Sequence, residues 1–245
     1  MKIQARIAVS GVGCVLATVA VLLGLVVWQS TRYQARAQAE LDDLVQSDLD
    51  RTVTGVYNLI AAEQETLRVQ IDHNLKVAHH VLVEAGGVTV APETVAWSAV
   101  NQFTQEAMTV QLPQLQVGGR WLGKNDDPAV GTAVVDEVRQ LVGGTVTLFQ
   151  RMNPAGDMLR VATNVENQGR RAIGTYIPVL MPDGKPNPVV ATVLTGDTYR
   201  GRAFVANAWY TTAYEPLRDR TGQIIGMLYV GVKPEQGEAL RNAIL

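Results

Sequence analysis

The stretch Thr145-Val-Thr-Leu-Phe-Gln-Arg-Met-Asn-Pro-Ala-Gly-Asp-Met-Leu-Arg-Val-Ala-Thr-Asn164 decides the fold. Two β-rich runs, Thr145–Met152 and Met158–Asn164, flank Asn153-Pro-Ala-Gly-Asp157, a turn composition that predicts a hairpin. Downstream, Arg171–Pro178 reads as extended, Pro182-Asp183-Gly184 as a turn, and Pro188–Leu194 as a short helix ended at Gly196. Arg202–Leu217 is a long β-rich run with a break near Asn207, and Asp219-Arg-Thr-Gly222 turns it into Ile224–Val232. The expectation is an α+β domain: about five mainly antiparallel strands, with one helical excursion between the second and third. Pro234–Leu245 reads as helical.

Upstream, Val88-Thr89-Val90 is a short β segment, and Pro92-Glu93-Thr94 opens an amphipathic stretch through Val95, Val100 and Phe103 that predicts a helix. Thr109–Val117 predicts two short strands around Pro113, Asp126-Asp127-Pro128 a loop, and Val134–Val142 a short helix ended by Gly143-Gly144. Before these, apolar residues recur in steps of three and four from Leu41 through Leu49, Val53, Ile60, Leu67, Ile71, Leu75 and Leu82 to Ala85. That is the stripe of one long helix, free of proline from 31 to 85 and stopped at Gly86-Gly87.

The block Ile7–Trp28 carries no charge, and about 20 apolar residues suffice to cross a bilayer as a helix. Lys2 and Arg6 precede it, so the positive-inside rule places the N-terminus in the cytoplasm and the remainder outside. The reading is residues 1–6 cytoplasmic, 7–28 transmembrane, 29–87 a long extracytoplasmic helix, 88–232 a sensor-like domain, and 233–245 a C-terminal helix. The localisation that follows is the bacterial inner (plasma) membrane, single-pass, with the domain periplasmic or extracellular.

Several function classes lose support on composition. The one cysteine, Cys14, lies in the apolar block, and the whole chain has four serines, so Cys- and Ser-nucleophile chemistry has almost nothing to work with. No enzyme and no cofactor are expected. The 144–232 stretch holds nine Arg/Lys against six Asp/Glu, a local +3, against −4 for 30–85. That excess is too small and interspersed for nucleic acid but suits a small anionic ligand. His73, His79 and His80 fall on the long helix without a third ligand nearby and read as a solvated face rather than a metal site.

The densest chemistry-bearing run is Tyr199-Arg-Gly-Arg202-Ala-Phe204-Val-Ala-Asn207-Ala-Trp209-Tyr210-Thr-Thr-Ala-Tyr214, drawn from a chain only 6% aromatic. Aromatic faces that enclose a ligand body, with Arg202 offering a fork to a carboxylate, make a small-molecule pocket; strand propensity and core packing are the plainer account of the same rings. Candidate ligand-binding residues are Tyr176, Tyr199, Arg202, Phe204, Trp209, Tyr210 and Tyr214. Arg160 is expected at the surface, and alternation keeps it off the face that carries Thr163.

Phe149–Val165, Arg171–Pro178, Gly201-Arg-Ala-Phe204, Trp209–Pro216 and Ile225–Val232 together resemble the Cache sensor domains, specifically the combined type-3/type-2 Cache subgroup of bacterial chemoreceptors and sensor histidine kinases. The similarity covers roughly residues 88–245. It implies a PAS-like antiparallel sheet braced on one face by the membrane-proximal helix, with ligand on the other face under the segment from Arg171 to Tyr199. It also implies a carboxylate or amino-acid ligand and a homodimer through the long helix. Such receptors continue into a cytoplasmic signalling module, which this sequence lacks, so it reads as a fragment or as a sensor acting through another chain. A ligand-free interaction domain that responds to a partner protein or to the membrane is the alternative.

Overall fold

A computed structural model describes residues 2–206 and 208–233, with side chains from residue 16 onward apart from 17, 35–37, 39, 40, 42 and 43. Helix α1 spans Lys2–Glu84, and the chain divides into two compact units, Met1–Glu63 and Gln64–Leu245. In the first unit the stripe residues Leu41, Leu44, Leu49, Val53 and Ile60 are exposed. Among the described residues no helix is long and apolar enough to cross a membrane; the span expected over 7–28 lies partly outside the described side chains, and the helix expected over 234–245 lies outside the described residues.

In the second unit the stripe is buried. Ile71, Leu75, Ala78 and Leu82, at steps of four, three and four, join Val81 in one apolar cluster with Val146, Leu148, Leu228 and Val230 of the sheet. Burying each large aliphatic side chain contributes about 1.5–3 kcal/mol, so this short apolar face is the principal brace. The helix stops where glycines allow it: Gly86 and Gly87 have φ of 99° and 69°, and the Gly87 N–H returns to Leu82 O at 2.9 Å. Gly118 is required by proximity, since a Cβ there would stand 2.2 Å from Ala85 O.

The five expected strands are present: β4 (Thr145–Arg151), β5 (Met158–Thr163), β9 (Tyr199–Val205), β10 (Ala208–Arg218) and β11 (Ile224–Val232). They lie side by side as β5-β4-β11-β10-β9, antiparallel throughout, the order 2-1-5-4-3 consistent with a PAS-like sheet. The sheet is larger than expected, however. Beyond β5 it continues through β8 (Thr175–Ile177), β1 (Val88–Asn101), β2 (Ala107–Val117) and β3 (Arg120–Trp121), nine strands among the described residues, and β8 runs parallel to β1. The sheet is therefore mixed. A separate two-stranded ladder joins β6 (Glu166–Asn167) to β7 (Arg170–Arg171). Two short helices, α2 (Val135–Val142) and α3 (Pro188–Thr195), fall where the sequence places them; Asn187 caps α3, and left-handed Gly196 closes it.

The helix expected from Pro92 is instead the second half of strand β1. Trp97 and Ala99 are buried while Ala96 and Ser98 are exposed, a period of two that pairing with β2 enforces over ten register positions. Pro92 falls in the irregular register between Val90 and Thr94, where a missing N–H removes no ladder bond. Pro113 likewise does not break β2, which is one strand rather than two.

One buried cation pins the loops on this side. Arg171, 5% exposed, donates to both Asp136 carboxylate oxygens at 2.9 and 2.8 Å and to the carbonyls of Thr163 and Val130 at 2.9 and 3.0 Å. Burial alone would raise the Asp136 carboxyl, but the Arg171 guanidinium and the Thr132 N–H outweigh it and hold the group below its ordinary 3.8. A depressed native pKa contributes stability that is fully present above the unfolded value and lost as pH falls through the native one. Asp136→Asn is therefore expected to cost about 1.5–3 kcal/mol near neutral pH, with the difference from the wild-type chain shrinking below pH 3.8. Thermal unfolding followed by circular dichroism from pH 7 down to about 3 checks this; a constant difference across that range would contradict it.

Candidate functional site

Because side chains alternate along a strand, register splits the aromatic run into two groups. Tyr210 lies opposite Ala203, and Tyr214 opposite Tyr199; Trp209 lies opposite Phe204, and Thr211 opposite Arg202. Tyr199, Tyr210 and Tyr214 therefore share the face turned away from α1. Arg202, Phe204 and Trp209 belong to the other face, where Arg202 stacks over the Trp209 ring at 5.6 Å and Phe204 meets it edge-on at 5.9 Å.

A cavity of about 310 Å³ opens under the α3 segment. β9 is the edge strand of the sheet, so residues from both of its faces border this space: Tyr199 and Ala203 from one, Arg202 and Phe204 from the other. Tyr214 and Ile177 also line it, and Met181, Asn187 and Val189 contribute from the α3 segment. The loop after β1 adds Gln102 and Phe103.

Of the seven expected residues the structure brings five together here: Tyr199, Arg202, Phe204, Trp209 and Tyr214. Tyr176 is not among the lining residues. It lies opposite Leu159 and packs with the helix-side cluster, its hydroxyl accepting from Asn101 Nδ2 at 3.3 Å. The alternation in Thr175-Tyr176-Ile177 means that Ile177 faces the cavity when Tyr176 faces the helix. Tyr210 is buried on the correct face but borders a different concavity, with Arg139, Asn164 and Lys233.

Arg160 corrects two expectations. It is 1% exposed rather than at the surface. A bulge in β5 also moves it: Thr147 lies opposite Thr163 while Phe149 lies opposite Arg160, which puts Arg160 and Thr163 on the same face. The guanidinium carbon sits 5.1 Å over the Phe149 ring. Its Nη1 donates to Thr175 Oγ1 and, at 3.4 Å, to Ala172 O, while Nε has no partner. No carboxylate pairs with it among the described residues. Burial pulls this guanidinium below its usual value, and burial raises the phenols of Tyr214 and Tyr229 beside it, so the tyrosines remain neutral and supply no counter-charge. The signal in the sequence is the pairs of successive apolar residues on either side, Met158-Leu159 and Val161-Ala162, which mark a strand buried on both faces rather than one that shows its Arg to solvent.

Arg200, between Tyr199 and Gly201, points the other way and donates from Nε to Asp72 of α1 at 2.6 Å. A second pair, His79 Nδ1 with Glu215 Oε2 at 2.9 Å, joins α1 to β10, so His79 is not merely solvated as the sequence suggested. Strand β9 thus touches the cavity with one set of residues and the helix with the next. Both pairs are partly exposed, and such pairs contribute about 0.2–1 kcal/mol, weak enough to be remade during a conformational change. In a double-mutant cycle on unfolding free energy, Asp72→Arg with Arg200→Asp should recover most of the loss seen in either single variant, with a coupling below about 1 kcal/mol. Strict additivity would remove the pair from the helix–sheet contact.

The family model of the Cache 3/Cache 2 fusion domain matches residues 34–245. No curated protein and no solved structure matches the chain. The matched segment contains the cavity, the braced sheet and much of α1, and extends further toward the N-terminus than the resemblance over 88–245 implied. The chain belongs to the Cache 3/Cache 2 fusion family, whose members are extracellular sensor domains of membrane receptors that bind small molecules.

Proposed function

We propose that this chain is a membrane-anchored extracytoplasmic sensor that binds a small anionic metabolite, an organic acid or an amino acid, and passes a conformational change into α1. The observation that carries the reading is the cavity of about 310 Å³ under α3 at the β9 edge, with Arg202 among its lining residues. An anion bound there gains from the Arg202 charge, which stacks on Trp209 and has no carboxylate partner among the described residues, and the apolar wall strengthens the attraction.

Transmission follows from the two-sided placement of β9. A ligand pressing on Tyr199 and Ala203 shifts the same strand that holds Asp72 through Arg200, and packed interfaces respond by switching between discrete arrangements rather than by yielding smoothly. The uncharged block Ile7–Trp28 supplies the membrane anchor in this reading, the exposed stripe from Leu41 to Ile60 supplies a contact for a second copy, and the output is chemotaxis or two-component signalling through a cytoplasmic module. No catalytic role is proposed.

The test is a thermal-shift screen of organic acids and amino acids against the full chain, in which a ligand at 100 times its Kd should add about 2.7 kcal/mol of stability. The largest shift should disappear in Ala203→Leu, which fills the cavity, while the unliganded variant unfolds within a few degrees of the original. A shift that survives in Ala203→Leu would place the ligand elsewhere, and a broad screen without any shift would remove the sensor reading.

A further inference from the structure

The composition of the cavity wall narrows the ligand beyond "small and anionic", and this inference rests on the sensor reading above. At ~30 Å³ per water molecule, 310 Å³ is the space of about ten waters, which sets the ligand at on the order of ten non-hydrogen atoms. Most of the wall is apolar or aromatic: Phe103, Ile177, Met181, Val189 and the rings of Tyr199 and Tyr214. A ligand that carried several charges would leave most of them facing hydrocarbon, and unpaired buried charge is strongly unfavourable.

The polar groups on the wall are Gln102, Asn187 and Arg202 besides the tyrosine hydroxyls. Asn187 is 3% exposed; its Oδ1 accepts from Val189 N as the cap of α3, and its Nδ2 donates to the Met181 thioether at 3.4 Å. A thioether is a weak acceptor, so this amide retains donor capacity toward the cavity. Arg202 stands at the rim on the Trp209 face. Arg160 sits over the Phe149 ring, which packs on Tyr214, and is not among the residues that line the space. Donors and one cation are available, therefore, whereas among the described residues no Asp or Glu lines the space.

We infer that the cavity takes a hydrophobic monocarboxylate, with an aromatic or branched aliphatic body among the apolar side chains and its carboxylate at the Arg202 rim. Free α-amino acids are disfavoured, because no carboxylate among the described residues of the wall pairs with an ammonium group, and the amide, hydroxyl and ring groups there return only part of its desolvation cost. Polyacids such as citrate are disfavoured, because one rim cation cannot compensate several carboxylates. Arg202 is the specificity-determining residue, and its contribution is separable from the apolar fit by a neutral isostere.

The experiment is isothermal titration of the full chain in lipid nanodiscs, with empty discs as blank, against phenylacetate, phenylacetamide, phenylalanine and citrate. Phenylacetate should bind at least on the order of tenfold more tightly than the other three, and Arg202→Gln should remove on the order of tenfold from phenylacetate while leaving phenylacetamide unchanged, the size expected for one charge-assisted hydrogen bond. Tighter binding of phenylalanine or citrate would overturn the inference and leave the sensor reading in place. An Arg202→Gln variant that binds phenylacetate as well as the original chain would remove Arg202 from the site. Silence from all four compounds would also overturn the inference, and the broader thermal-shift screen then decides separately whether the sensor reading survives.

Discussion

A sheet whose central strands are apolar on both faces needs two covers, and here only one face receives a long helix. Ile71, Leu75, Ala78, Val81 and Leu82 cover the first face. The second, which carries Phe149, Met158, Tyr214, Met227 and Tyr229, is closed by α3 and the segment leading into it. A single eight-residue helix cannot fill the area that a long helix fills on the opposite side. The space left at the β9 edge is the cavity, so the binding site is a consequence of unequal coverage rather than a separate invention.

The same constraint accounts for the isolation of Arg160. Its neighbours on β5 must be apolar because both faces are buried, and the ring beneath it and the phenols around it offer polarisable surface but no charge. Leaving a guanidinium there without a carboxylate costs stability in the empty protein. Arg171, also buried, shows the contrast: its charge is matched by Asp136 and by several carbonyls, and it fastens loops.

The strand sequences made the five-stranded core legible because hairpin signals such as Asn153–Asp157 and Asp219–Gly222 act locally, and the capping residues of α3 do the same. The extension is legible in pieces, as β segments at Val88–Val90 and Thr109–Val117 and an extended Arg171–Pro178, but the strand at Pro92–Asn101 is not, since the choice between helix and strand there is made by pairing with β2, from Val100↔Ala107 out to Thr94↔Pro113. In the site, the aromatic run is visible as an enrichment; alternation separates Tyr176 from Ile177 and so from the cavity, whereas Tyr210 shares the face of Tyr199 and Tyr214 and is set apart only by its place along β10, which composition does not reveal. The bulge in β5 that turns Arg160 toward Thr163 has no marker in the sequence: neither glycine nor proline occurs between them.

The central claim is that occupancy of the space under α3 is sensed through β9 and delivered to the helix. Hydrogen–deuterium exchange of the full chain, with and without the compound that raises its melting temperature most, tests this directly. The account predicts slower exchange in residues 188–195 and 199–205 together with a change in residues 70–84, and little change in β1 and β2. Protection confined to β1 and β2, or an unaltered β9, would contradict it.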